Sequence, residues 1–217
     1  MRKIEELIDA ADPAIKYLEQ FVRDAEVPCQ LLPPSAEREQ ILLDVQVSTH
    51  STLGALAYDT GGLLIDDGWL RILGSGHPKL PRSLSTWNAS RADGFYLVGD
   101  DAVGGFFALN NGGALGPDLK SVHYWAPDSL AWECLGLGFT DFICAFLTSR
   151  ITDFYEGLRW STWRADLKDL STDQCFFFYP FLWTREGSVD SSLRSKVPVA
   201  KTFDLNVDIV SQLSDGE

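Results

Sequence analysis

The spacing of apolar positions divides the chain into a helical start, a strand-rich middle and an aromatic final third. At the start, Ile15, Leu18, Phe21 and Val22 recur at helical intervals behind Asp12-Pro13. Asp can act as an N-cap and Pro suits the first helical position, so an amphipathic helix is expected from Pro13 to about Ala25. Pro28, Pro33 and Pro34 then break the chain, and Ser35 is placed to cap a second helix running through Val45. The stretch STLGALAYDTGG reads as a short helix stopped by Gly61 and Gly62, because glycine can take the positive φ of a C-cap.

In the middle the period shortens. WLRILGSG, GFYLVGDD, GGFFALNNGG, SVHYWAPD and AWECLGL are short apolar runs bounded by glycine, asparagine or aspartate, the signature of strands and turns. Strands in succession with short links imply an antiparallel sheet, and LPRSLSTWN between the first two reads as a short helix. Gly104 and Gly105 are expected to shape a turn between two of these strands, with Asp100 and Asp101 on its rim. Helical spacing returns at Phe139, Phe142, Ile143, Phe146 and Leu147, a stripe suited to the inner face of the sheet. ITDFYEGLRWSTWRADL is expected to be helical. QCFFFYPFLW reads as an edge strand or the end of one, limited by Pro180. From Glu186 the tail is polar, and fraying is expected from Ser211 onward.

At 217 residues with 45% hydrophobic and 23% charged positions, the chain fits one globular domain able to bury a sizeable core. Seven Trp and thirteen Phe, with a single Met, point to a core of shape-defined side chains. Core and seam packing is the economical role for the tryptophans; an exposed aromatic platform is the alternative. The opening MRKIEELIDAADP has no apolar stretch of signal-peptide length, and Cys29, Cys134, Cys144 and Cys175 are too far apart for a C-x-x-C pair. A cytoplasmic protein with reduced, mostly buried thiols is expected.

Charge narrows the function. Eighteen Lys and Arg against 31 Asp and Glu leave a net charge of −13, which repels nucleic acid and anionic lipid and favours basic partners. Between Ala92 and Gly157 nine acids stand against two bases. Motifs for specific chemistries fail individually. Lys120-Ser121 lacks the glycine that a phosphate-binding loop places before its lysine, and Gly136-Leu137-Gly138 lacks the third glycine of a dinucleotide fingerprint. Asp66-Asp67 and Asp100-Asp101 would point to opposite faces of a strand, and their glycine neighbours suggest turns instead of acid–base pairs. His50, His77 and His123 are scattered, and no serine sits in a G-x-S-x-G elbow. No metal or cofactor site is expected.

Three strings, STLGALAYDTGGLLIDDGWLRILGSG (51–76), GFYLVGDDAVGGFFALNNGGALG (94–116) and FYPFLWTREG (178–187), resemble the bacterial domain-of-unknown-function family 2625, and VHYWAPDSLAWECLGLGFTDFI (122–143) extends the likeness. That family supplies no activity to carry over. More distantly, Thr60-Gly61-Gly62, Gly99 to Gly105, Val122 to Trp125 and Phe139 to Leu147 resemble the SUKH superfamily, which contains many immunity proteins against bacterial toxins. The resemblance implies a single α+β domain: a curved, mostly antiparallel sheet over 51–150 with helices around it. N-terminal helices (1–50) and a Trp-rich extension (151–217) are added to that core.

The expectation is therefore a non-catalytic protein-binding module, conceivably an immunity protein masking a basic toxin domain. Asp100, Asp101, Asp118 and Asp128 would supply charge, and Tyr124 and Trp125 would serve as anchors. A small-molecule or carbohydrate enzyme built on one aspartate and the tryptophans is the alternative; a pocket holding a carboxylate of raised pKa would mark it. A scaffold without a specific site is the third reading. Oligomeric state is left open.

Overall fold

The computed structural model describes residues 1–214. In chain order its elements are α1 (Ile4–Leu7), α2 (Ile15–Arg23), β1 (Cys29–Leu32), α3 (Arg38–Val45), α4 (Thr52–Asp59), β2 (Gly62–Ile65) and β3 (Leu70–Leu73). There follow α5 (Leu84–Asn88), β4 (Tyr96–Asp101), β5 (Phe106–Leu109), β6 (Ser121–Trp125), β7 (Trp132–Gly138) and α6 (Phe139–Phe146). The final third holds α7 (Arg150–Phe154), α8 (Trp163–Leu167), β8 (Gln174–Tyr179), β9 (Leu193–Pro198) and α9 (Val199–Ser214).

β1 to β7 form one antiparallel sheet in which spatial order equals chain order, so each strand pairs with its sequence neighbour. β8 and β9 form a separate antiparallel hairpin. This is a single α+β domain, as the family resemblance implied, and the sheet is antiparallel, as the succession of strand patterns implied.

Both faces of the sheet are covered, and strand alternation decides which side chain goes where. On one face Phe107 and Tyr124 pack against Phe142, Phe146 and Phe154 of α6 and α7, with ring centroids 4.7 to 6.1 Å apart. On the other, Phe106 and Trp125 meet Phe203 of α9 at 4.9 and 5.8 Å. Trp69, Trp87, Trp125 and Trp160 are buried, so core packing accounts for most of the indoles.

Several expectations need correction. α4 is capped by the Ser51 hydroxyl, but it ends at Thr60 in extended conformation, and Gly61-Gly62 lead straight into β2. Their smallness serves close approach: a Cβ on Gly61 would lie 2.5 Å from the Pro33 carbonyl oxygen. The second helix starts at Arg38 rather than at Ser35, whose hydroxyl accepts from the Glu37 N–H at 3.2 Å. The Trp-rich segment breaks into two short helices, α7 and α8, with Gly157 at φ 85° between them. β8 stops at Tyr179, immediately before Pro180. The polar tail contains β9 and the 16-residue α9, helical through Ser214; the rest of the expected fraying lies outside the described residues.

Phe107 touches three helical aromatics and is fully buried, so Phe107→Ala should cost about 3–5 kcal/mol in urea unfolding. Leu119→Ala, at an exposed loop position, should stay within about 0.5 kcal/mol.

Candidate functional site

The β2–β3 and β4–β5 turns carry three aspartates that the fold buries completely: Asp66, Asp100 and Asp101. A carboxylate removed from water must be met by donors or cations, and these come from distant parts of the chain. Asp100 accepts from Arg71 Nε at 2.8 Å and from Arg82, both arginines themselves buried. Arg71 also donates to the Gln174 carbonyl at 2.9 Å, which ties β8 to the sheet. Arg82 reaches the Thr172 carbonyl at 2.6 Å and does the same from the other side.

Asp101 closes the turn that follows β4. Its Oδ1 accepts from the Val103 and Gly105 N–H groups at 3.0 and 2.7 Å, and its Oδ2 from the Tyr124 and Tyr155 hydroxyls at 2.8 and 3.1 Å. Gly104 takes φ 86°, and a Cβ on Gly105 would stand 2.3 Å from the Tyr124 hydroxyl. Both glycines are thus required by the turn. Burial pushes the Asp101 carboxyl above its usual range against the pull of its donors, and burial with the neighbouring carboxylate drives both tyrosines well up.

Asp66 and Asp67 both adopt positive φ, 51° and 59°, in the turn between β2 and β3. Asp66 turns inward to Arg159 at 2.6 Å and Arg164 at 3.0 Å, whereas Asp67 stays exposed and meets Arg164 at 3.3 Å. Both guanidinium groups lie against the Trp163 ring, 4.1 and 4.2 Å from its centroid.

This geometry revises the candidate residues. Asp100 and Asp101 are not on a rim: both are at 0% exposure and fully engaged inside the protein. Tyr124 and Trp125 are buried as well, the first as a donor to Asp101 and the second in the aromatic face under α9, so neither is free to anchor a partner. Asp118 and Asp128 are exposed, but at opposite ends of β6, so the six residues do not gather into one patch. Reasoning from the sequence missed Arg71, Arg82, Tyr155 and Arg159. One signal was available: an arginine at the centre of the apolar run WLRIL must bring a counter-charge into the core.

What remains accessible lies along β7, an edge of the seven-stranded sheet whose residues are exposed or half-buried throughout. Its pairing with β6 is regular from Trp132 to Cys134 and then bulges, with Gly136 at φ 66°. Asp128, Glu133 and Asp141, all exposed, flank this edge, and no Lys or Arg occurs between Ser121 and Ser149. The buried acids are balanced in place by Arg71, Arg82 and Arg159, so the net charge of −13 is carried by the surface. Among the described residues no group of three His, Cys, Asp or Glu could hold a metal ion, and no helix is long and apolar enough to cross a membrane.

Two outcomes follow for the buried charges. Asp100→Ala strands two buried arginines and should lower stability by about 3–5 kcal/mol in chemical denaturation, against less than about 0.5 for Asp118→Ala. Asp101 holds its proton to higher pH folded than unfolded. Its contribution is therefore fully present below the unfolded carboxyl pKa and is lost as pH rises through the folded value. Asp101→Asn should flatten that part of the stability-versus-pH curve, read as the difference in unfolding midpoint between wild type and variant across the acid range.

Two relatives match nearly the whole chain in sequence. A putative uncharacterized protein, YbfG, of Escherichia coli K12 is 40% identical over 94% of this chain and 95% of its own length. An uncharacterized protein of Haemophilus influenzae is 37% identical over 95% and 94% respectively. A family model described as "Protein of unknown function DUF2625" matches residues 4–202, and the chain belongs to that family.

Proposed function

We propose that this protein is a non-catalytic recognition module that binds a basic, extended segment of another protein along the β7 edge. The observation that carries the reading is the pairing of an open strand edge with a flank of like charge. β7 offers backbone groups that an added strand can use, and Asp128, Glu133 and Asp141 lie on or beside it in a stretch, Ser121 to Ser149, that contains no Lys or Arg. Strand addition supplies affinity through the main chain, and opposite charge supplies association rate and selectivity. Two copies of this acidic edge repel one another, and the Gly136 bulge further discourages self-pairing.

The enzyme reading is less well supported. Burial pushes up two carboxyls: that of Asp101, which is sealed behind Tyr124 and Tyr155 instead of lining a cleft, and that of half-buried Asp59 at the end of α4. Of the four free cysteines Cys175 is buried, Cys29 and Cys144 are half-buried and Cys134 is exposed, where mostly buried thiols were expected. An immunity protein covering a basic toxin domain is one concrete form of this function.

The test is retention of a partner from native cells by tagged protein at low and high salt. Wild type should hold a basic protein in stoichiometric amount at low salt and release it at high salt. Replacing Asp128, Glu133 and Asp141 by Lys should abolish capture. The same change at Asp24, Glu39 and Asp208, exposed positions on other elements, should preserve most of it. Equal losses in the two triple variants would reduce the effect to net charge, and retention by the β7 variant would overturn the proposed edge.

A further inference from the structure

Outside the β7 edge, a cleft of about 470 Å³ opens between α7 and α8, and its lining combines both signs of charge. Arg159, Arg164 and Trp163 contribute to its wall together with Thr152, Asp153 and Glu156. The volume lies within the range of small-ligand sites. Its two arginines are held but not exhausted. Arg159 donates to Asp66 through Nη2 alone, and its Nε is buried without a partner although the side chain is only 9% exposed. Arg164 uses only Nη1, shared between Asp66 and Asp67. A guanidinium has five donors in a fixed fork, so both retain capacity for an oxyanion. Contact of both with the Trp163 ring limits their rotation.

The acids in the same cleft are uncommitted in a different way. Asp153 and Glu156 are exposed, and among the described residues neither carboxylate is paired with a cation. A plain anion entering here meets these two and the nearby Asp66 and Asp67. A plain cation meets two arginines. A molecule carrying both charges can place each against its opposite.

We infer that this cleft binds a small amphoteric ligand of the class of free amino acids and short peptides. Its carboxylate lies on the Arg159–Arg164 side and its ammonium group on Asp153 and Glu156. This inference is independent of the β7 edge.

The experiment is calorimetric titration with the dipeptide glycyl-lysine, beside succinate and 1,4-diaminobutane as probes of one sign each. The dipeptide should bind with a Kd on the order of 1 mM or tighter, and each control at least about tenfold more weakly. Glu156→Gln, at an exposed position, should weaken the dipeptide at least about fivefold with an unchanged unfolding midpoint. Arg164→Gln should weaken the dipeptide similarly from the other side, with a lower unfolding midpoint because Arg164 also pairs with buried Asp66. Undetectable binding of the dipeptide overturns the inference. So does succinate or the diamine binding as well as the dipeptide, or a Glu156→Gln protein that binds it as tightly as wild type.

Discussion

Three carboxylates sit in the interior at turns of the sheet, and satisfying them organises the packing of the last third of the chain. Asp100 gathers Arg71 and Arg82, whose remaining donors reach carbonyls at Thr172 and Gln174. Asp101 collects a hydroxyl from β6 and another from just beyond α7. Asp66 draws in Arg159 and Arg164, both of which lie against Trp163. Buried ion pairs seldom add net stability, because desolvation offsets the attraction; losing one member is what costs. Their effect is on specificity. An alternative docking of the segment from α7 to β8 would leave a buried charge without a partner, whereas the aromatic contacts alone would tolerate sliding.

That division of labour suits the topology. The seven strands pair strictly with sequence neighbours, so no strand of the sheet has to be placed between two others already paired, although the β1–β2 and β3–β4 links carry helices. The C-terminal segment must find its place across separations of about a hundred residues, as between Arg71 and Gln174 or Arg164 and Asp66. The long-range steps coincide with the charged contacts. Hydrophobic burial drives compaction, and the arginine–aspartate geometry selects one arrangement from those that compaction permits.

The same distinction explains what could be read from the sequence. β3 to β7, α5 and α6 announce themselves through apolar runs closed by glycine or aspartate and through the Phe139–Leu147 stripe. β2 is buried on both faces, so GLLI shows no alternation and merges with the helix before it. β1 has four residues between prolines. α9 hides because its inward face includes the polar Thr202 and Asn206 beside Phe203, which dilutes the apolar period. Asp100 and Asp101 were legible as turn residues, but their burial was not. Exposure is the usual fate of an aspartate beside glycine, and the compensating Tyr155 lies 54 residues beyond Asp101.

Internal compensation also bears on how the outside of the molecule behaves. Since Asp66 and Asp100 are matched by arginines drawn from a limited supply, the surface keeps the excess of negative charge while losing some of its bases to the core. Seven acids between Asp93 and Glu156 remain exposed, with only Lys120 and Arg150 among them. β7 runs through this region as the one long strand of the sheet without buried residues. An unprotected edge ordinarily invites indiscriminate pairing. Here like charge repels copies of the same protein, and the bulge at Gly136 shortens the regular register, so a segment joining this edge must be short and positively charged.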